Sequence, residues 1–444
     1  MRFSLPVAIL SLLSALPACG GDDAAGSTFP AGGAADGGTS ATGVEATTTQ
    51  QSSLVRNTSP GAPDADMTAL VNGNDAFAYA MYAQLAGADA TSDLFFSPYS
   101  ISLALGMAYA GAAGGTATEM ATALDFTLPP AQLFAAFDQL DLQLRTATAA
   151  DGTATLDVAN AFWAQTGLPL VPAFLDTLAT SYGAGVQELD IDGHPALATN
   201  TINQWVAAQT SEKITNLLPP GFLDSETTTV LVNAVYFDAH WANFGFSPNA
   251  VGTTWQGTSA TPLFMSSLGT FAYAHVNGVQ AVEIPYVGGR FSMVILLPDT
   301  VTTPAFAAPT YGAAVAALTS TPNVYLAMPE FAIHGASISL KTELSALGMP
   351  DAFSDAADFS ALSSVPTHVS DVVHQASVNV DLSGTEATAA TAAGTEPGAI
   401  EEPPPDAVMM KVDHPFVFAL RDQPTGTLLF VGRVETPSGA VFGN

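Results

Sequence analysis

The chain has a single cysteine, Cys19, among 444 residues. No intramolecular disulfide can form, so a stable body must rest on packing alone. Bases are scarce as well: nine Lys and Arg face forty Asp and Glu, a formal net charge of −31. That balance excludes nucleic acid and anionic membrane surfaces as partners, and its plain consequence is solubility. The nucleophile elbow GxSxG, the zinc motif HExxH, the redox pair CxxC and the Walker phosphate loop are all missing. The seven histidines are scattered without metal-ligand spacing, so no metal or other cofactor is expected. A hydrolase would need a nucleophile–base pair, and the sequence offers none.

Apolar residues make up 48% of the chain, which excludes global disorder. Residues 1–19 carry one early base, Arg2, an apolar stretch from Val7 to Leu16, and small residues before Cys19. This is the pattern of a secretory signal, too short to span a membrane by itself. Leu16-Pro17-Ala18-Cys19 resembles a bacterial lipobox, although proline at its second position departs from the pattern. The expectation is export to the cell envelope or exterior, with Cys19 as a lipid anchor and no other membrane contact. Residues 20–66 are rich in Gly, Ala, Thr, Ser and Asp without periodicity, and read as a flexible linker. Such a tether spans roughly 35–40 Å.

Order is expected from residue 67 onward. Phe77, Met81 and Leu85 recur at helical spacing, and Ser97-Pro98 opens a second, Ala- and Gly-rich helix. Pro129 to Thr148 gives an amphipathic helix, and Leu156 to Gln165 a central strand. Thr229 to Trp241 is a long apolar strand. Val282 to Pro298 forms a hairpin turning at Gly288-Gly289. Val324 to Ile338 reads as one strand, Leu340 to Leu347 as a helix, and Phe416 to Pro437 as a closing hairpin.

Between Val372 and Val417 the chain carries an unusual insertion. Alternation at Val378-Asn379-Val380-Asp381-Leu382 marks a strand, and a long run of small residues follows, Gly384 to Gly394. Such runs are commonly plain linkers. A linker of this length between two good strands inside a globular chain, however, needs a functional reason. Parity supplies one. If the run entered a sheet, Thr385, Ala387, Ala389 and Thr391 would share one face, and Glu386, Thr388 and Ala390 the other. The only charge falls on one side. The other side carries small residues that can slide between existing strands without a desolvated charge.

The Gly384-Thr385-Glu386-Ala387 stretch, ten residues after His374 and followed by a loop and a His414-Pro415-Phe416 strand, resembles the hinge of the serpins. Phe95-Phe96-Ser97-Pro98-Tyr99-Ser100-Ile101, Trp163, Thr229 to Trp241 and the closing hairpin are similar to serpin segments in the same order, from about residue 68 to 437. The resemblance implies an α+β fold, one serpin domain over residues 67–444, with helices around three β-sheets and a reactive-centre loop at about 384–407. It overrides the two or three domains that length alone suggests.

What the resemblance implies for function is inhibition of a serine protease by suicide cleavage and loop insertion, with no enzyme activity. Its hinge would be Gly384, Thr385, Glu386, Ala387, Thr388, Ala389, Ala390 and Thr391. Ser97, Ser100, Asn233 and His374 would form a hydrogen-bonded cluster holding the main sheet closed. The family's usual spacing from the hinge puts the scissile bond at Gly398–Ala399, with Ala399–Ile400 and Ile400–Glu401 as alternatives. Counting back from His414-Pro415 points nearer Pro403–Pro404, where proline after the bond blocks cleavage. Lys341 is the only base between Arg290 and Lys411, which argues against trypsin-like targets. Small apolar residues favour an elastase- or subtilisin-like protease, with Glu-specific or cysteine proteases as further candidates. The helix after Pro129 holds a single base, Arg145, so heparin is not expected to bind. A monomer is expected. Leu382 and Glu330 stand where many serpins pair a glutamate with a lysine, which implies a looser top of the sheet. The rival class is a non-inhibitory serpin acting as a cell-surface binding module.

Overall fold

The computed structural model describes residues 43–438 apart from 152, 243–244, 249, 251, 257, 303–304 and 386–402. Cys19, the hinge beyond Thr385 and the reactive bond (Gly398, Ala399, Ile400, Glu401) lie outside the described residues.

The first half runs β1 (Thr48–Gln50), α1 (Asp64–Ala88), β2 (Leu94–Phe96), α2 (Pro98–Tyr109), α3 (Gly114–Ala123), α4 (Pro130–Asp151), β3 (Ala154–Gln165), α5 (Pro172–Tyr182), β4 (Val186–Leu189) and α6 (Pro195–Gln209). Next come β5 (Thr229–His240), β6 (Ser247–Pro248), β7 (Phe264–Val276), β8 (Val279–Pro285), β9 (Phe291–Pro298), α7 (Ala308–Ala317) and β10 (Thr319–Pro329). The chain closes with β11 (Phe331–His334), β12 (Ile338–Ser339), α8 (Lys341–Ala346), β13 (Asp371–Val380), β14 (Gly384–Thr385), β15 (Val408–Lys411), β16 (Phe416–Asp422) and β17 (Leu428–Val434).

The strands join into two sheets. The first has the order β1-β4-β3-β5-β14-β13-β11, with β12 beside β13. The second runs β15-β10-β7-β8-β9-β16-β17-β2, with β6 beside β7. The α+β class and the single domain are as expected, but the three expected sheets merge into two hydrogen-bonded ones. The reason is the length of β7: Phe264–Leu268 pairs with β10 and, at Met265 and Ser266, with the short β6, whereas Ala272 and Tyr273 pair with both β10 and β8. A bulge between Thr321 and Val324 bends β10, so one continuous ladder serves two packing directions.

Burial explains why β5 reads as an unbroken apolar run. Leu231, Val235, Phe237 and Ala239 face the main core, while Val230, Val232 and Ala234 face a second core beneath α6. A strand covered on both faces has no polar side to alternate. In that second core Trp163 packs edge-on against Trp205, with ring centroids 5.8 Å apart. Helix α2 is sunk in the main core along nearly its whole length, and Ser97 caps it by accepting the Ser100 N–H. Its small residues permit this: a Cβ at Gly106 would come within 2.9 Å of the Tyr182 hydroxyl.

Two sequence expectations need correction. The single strand expected over Val324 to Ile338 is broken at Pro329-Glu330. There the chain leaves the second sheet, where β10 pairs with β7, and enters the first, where β11 pairs with β13. The linker expected to run free to Asp66 is ordered from Gly43. Thr48–Gln50 extends the edge of the first sheet by pairing with β4, and Arg56 pairs with the buried Asp138 and Asp141 of α4, each at 2.7 Å. Backbone pairing at a sheet edge and one buried ion cluster order a segment whose side chains show no pattern.

Candidate functional site at the seam of the first sheet

β5 and β13 run parallel and pair directly from Asp371↔Val230 to Ala376↔Val235. Above that zipper they part, and β14 occupies the gap. Gly384 lies opposite His240, and Thr385 lies opposite Ala239 on one side and Val380 on the other. The start of the predicted hinge is thus already a strand of the sheet.

The local chemistry makes this position specific. A Cβ at Gly384 would sit 2.1 Å from the Ala239 carbonyl oxygen, so only glycine fits there. Thr385 is fully buried and shares a 2.6 Å hydrogen bond with the Tyr286 hydroxyl. Tyr286 stacks on Trp241 at 4.7 Å, and Trp241 Nε1 donates to the Asp381 carbonyl at 2.9 Å. The turn between β13 and β14 is closed by Asp381, whose Oδ1 accepts the N–H groups of Ser383 and Gly384 at 2.7 and 3.2 Å. Thr385 shares the core face with its partner Ala239, which is the face that parity assigned to the small residues.

Lower on the same seam, Ser97, Ser100, Asn233 and His374 do come together. The Ser97 N–H donates to His374 Nε2 at 3.2 Å, which leaves the ring hydrogen on Nδ1 to reach Asn233 Oδ1. Asn233 Nδ2 donates to Ser100 Oγ and to Asn160 Oδ1. Ser97 Oγ donates to the Leu429 carbonyl at 2.7 Å, fastening the cluster to the second sheet. Complete burial lowers the His374 pKa to about 3, so the ring is neutral and polar only through its hydrogen bonds. Asn160 belongs to this cluster and was missed. Its signal was an amide in the Ala159-Asn160-Ala161-Phe162 strand, but its role depends on β3 lying beside β5 with Asn160 opposite Asn233.

At the top of the seam Glu330 has its pKa raised by burial and by the nearby charge of Asp381. Arg145 of α4 is engaged with Asp141 at 2.7 Å. Among the described residues no helix is long and apolar enough to cross a membrane.

A family model described as serpin (serine protease inhibitor) matches residues 72–437. The chain is a serpin. A serpin-like protein of Methanosarcina mazei is 32% identical over 382 residues, covering 83% of this chain and 87% of that one. Leukocyte elastase inhibitor of Bos taurus is 32% identical over 391 residues, covering 84% of this serpin and all of the relative. The solved native-state structure of the thermophilic serpin tengpin matches with a TM-score of 0.70 and 25% identity, over 86% of this chain and 96% of that one. Serpins are protease inhibitors rather than enzymes, although some members do not inhibit.

Proposed function

We propose that this serpin inhibits a serine protease by offering its loop as a substrate and inserting the cut end into the first sheet. The observation that carries this reading is the start of the hinge, Gly384–Thr385, wedged between β5 and β13, with Thr385 opposite Ala239 and Val380. Continuing β14 in that register pairs Thr391, six residues on, with Asn233, six back along β5, and with His374, six back along β13. Asn233 and His374 are themselves partners across the closed seam. Continued along both strands, the register would bring one small hydroxyl residue to the bond that must open. A cut after Gly398 would free about 14 residues, enough at ~3.3 Å each to carry a tethered protease roughly 45 Å. About a dozen new backbone hydrogen bonds at ~0.5–1.5 kcal/mol each supply on the order of 10 kcal/mol. That reach passes the first residues of both strands, Thr229 and Asp371, toward a cavity of about 250 Å³ lined by Asp224, Glu226, His368 and Asp371.

The expected scissile bond is Gly398–Ala399, with Ala399–Ile400 and Ile400–Glu401 as alternatives. Small residues there, and the similarity to leukocyte elastase inhibitors, favour an elastase- or subtilisin-like target. Export with lipidation at Cys19 places the inhibitor at the cell envelope or exterior. Incubation with subtilisin should give a complex that survives SDS and a released peptide beginning at Ala399. Turnover without any such complex would refute inhibition and favour a binding module. Labelling with a fatty-acid probe that persists in Cys19→Ser would refute the anchor.

A further inference from the structure

We propose that Glu45, Asp190 and His194 form a binding site for a late first-row divalent metal ion, with zinc as its test ion. The three residues come from three segments: the stretch before β1, the residue after β4, and the residue preceding α6. One donor atom from each lies within 4.8 Å of the others. His194 Nδ1 is 2.9 Å from Asp190 Oδ2, close to the separation of two donors sharing one small cation. A carboxylate–histidine contact alone would be an ordinary surface pair. Glu45 makes the difference. Its Oε1 accepts the Asp190 N–H at 2.9 Å, whereas its Oε2 is shut off from solvent with no hydrogen-bond partner among the described residues. An ionised oxygen left in that state is costly, and a cation is the partner that a second carboxylate and an imidazole beside it would hold.

The supporting shell is in place. The Glu45 N–H donates to Thr201 Oγ1 of α6 at 2.8 Å, which fixes the residue's backbone. Asp190 Oδ1 accepts the Gly193 N–H at 3.0 Å and Gln165 Nε2 at 3.3 Å, leaving Oδ2 for the ion. Gly193 wraps so closely that a Cβ there would lie 2.3 Å from Asp190 Oδ2. One imidazole with two carboxylates suits zinc, nickel or copper better than magnesium or calcium, and exposed His194 leaves room for water to complete the shell. On binding, the hydrogen leaves Nδ1 and the ring keeps a single hydrogen on the exposed Nε2, so a neutral imidazole offers its Nδ1 lone pair to the metal. The ion would pin the N-terminal segment to the start of α6, the helix that covers the first sheet. Sequence spacing does not signal such a site, because the fold gathers donors 145 residues apart in sequence.

Calorimetric titration of the full-length protein with Zn²⁺ at neutral pH tests the site. The expected result is one saturable site, weakened about tenfold or more in both Glu45→Gln and His194→Ala, with Mg²⁺ giving no signal. Cobalt provides a second readout: visible absorption in the wild type that His194→Ala abolishes. Unchanged melting of the metal-free variants would show that they fold. Equal zinc affinity in the wild type and a Glu45→Gln/His194→Ala double variant would overturn the assignment, as would the lack of any saturable zinc site in the wild type.

Discussion

The Thr385 hydroxyl meets the Tyr286 hydroxyl 2.6 Å away in a fully buried contact at the mouth of the seam. That bond latches Thr385 by its side chain, beside the backbone pairing of β14 and the Asp381 carboxylate that accepts the Gly384 N–H. Tyr286→Phe keeps the stacking on Trp241 and removes the latch, at about 0.5–1.5 kcal/mol. The hinge should then exchange its amide hydrogens faster, with the melting temperature little changed. Thr385→Arg acts differently, because a guanidinium on the core face cannot be buried unpaired. The variant should still be cut by the target protease but form less than about a tenth of the wild-type complex, if ~1.4 kcal/mol or more is lost from insertion. Full complex formation by Thr385→Arg would remove the hinge from the mechanism.

Insertion would extend the two-residue β14 at the mouth of the seam into a full antiparallel strand. On the order of 10 kcal/mol of added pairing should raise the melting temperature of loop-nicked protein by roughly 10–15 °C over the intact form. Calorimetry before and after limited proteolysis at the loop measures this directly. Identical midpoints would mean that the cut loop stays outside the sheet.

His374 sets a pH dependence with a definite sign. Its ring is neutral in the fold, with a pKa lowered to about 3, and titrates near 6.5 when exposed. Above pH 6.5 it contributes no slope. Below that, the unfolded chain binds a proton that the folded chain refuses, so stability falls as pH drops toward 3. The loss is about 1.4 kcal/mol per pH unit, or roughly 2 kcal/mol at pH 5. His374→Gln should melt with a flatter profile than the wild type between pH 7 and 5, and the carboxylates common to both cancel in the comparison. Parallel profiles would show that the histidine is not held neutral.

How much of this was legible in the chain depends on which force orders each part. The start of the hinge was readable because strand parity is strict: Thr385 was assigned to the inward face, and it is buried there opposite Ala239. Ser97, Ser100, Asn233 and His374 were reached through likeness to a family, since nothing in their spacing brings residues more than 130 positions apart together. Asn160 escaped because a lone amide in a strand gains meaning only when the neighbouring strand is known. The segment from Gly43 to Asp66 was misread for a related reason. Three backbone pairs to β4 and the clamp from Arg56 to Asp138 and Asp141 leave no trace in side-chain periodicity. Burial of an ion cluster, and not apolar area, fixes that strap.

Glu330 and Asp381 present the opposite of a latch at the top of the seam. Burial, and then the Asp381 charge, raise the Glu330 pKa above the ordinary glutamate value. A carboxyl that holds its proton more tightly in the fold stabilises most at low pH, and that contribution is lost as pH rises through the folded pKa. Where both carboxyls are ionised, the contact is repulsive. Glu330→Lys should reverse the sign at this spot and gain up to about 1 kcal/mol, the scale of a partly exposed ion pair. Because β11 begins at the next residue and pairs Phe331 with Val380, the gain should appear as tighter closure of the strand end beside the hinge. Slower heat-induced polymerisation of Glu330→Lys at pH 7.5, with the difference narrowing as the pH is lowered, is the expected outcome. A variant that polymerises as fast as the wild type would show that the like-charge contact does not govern opening of the seam.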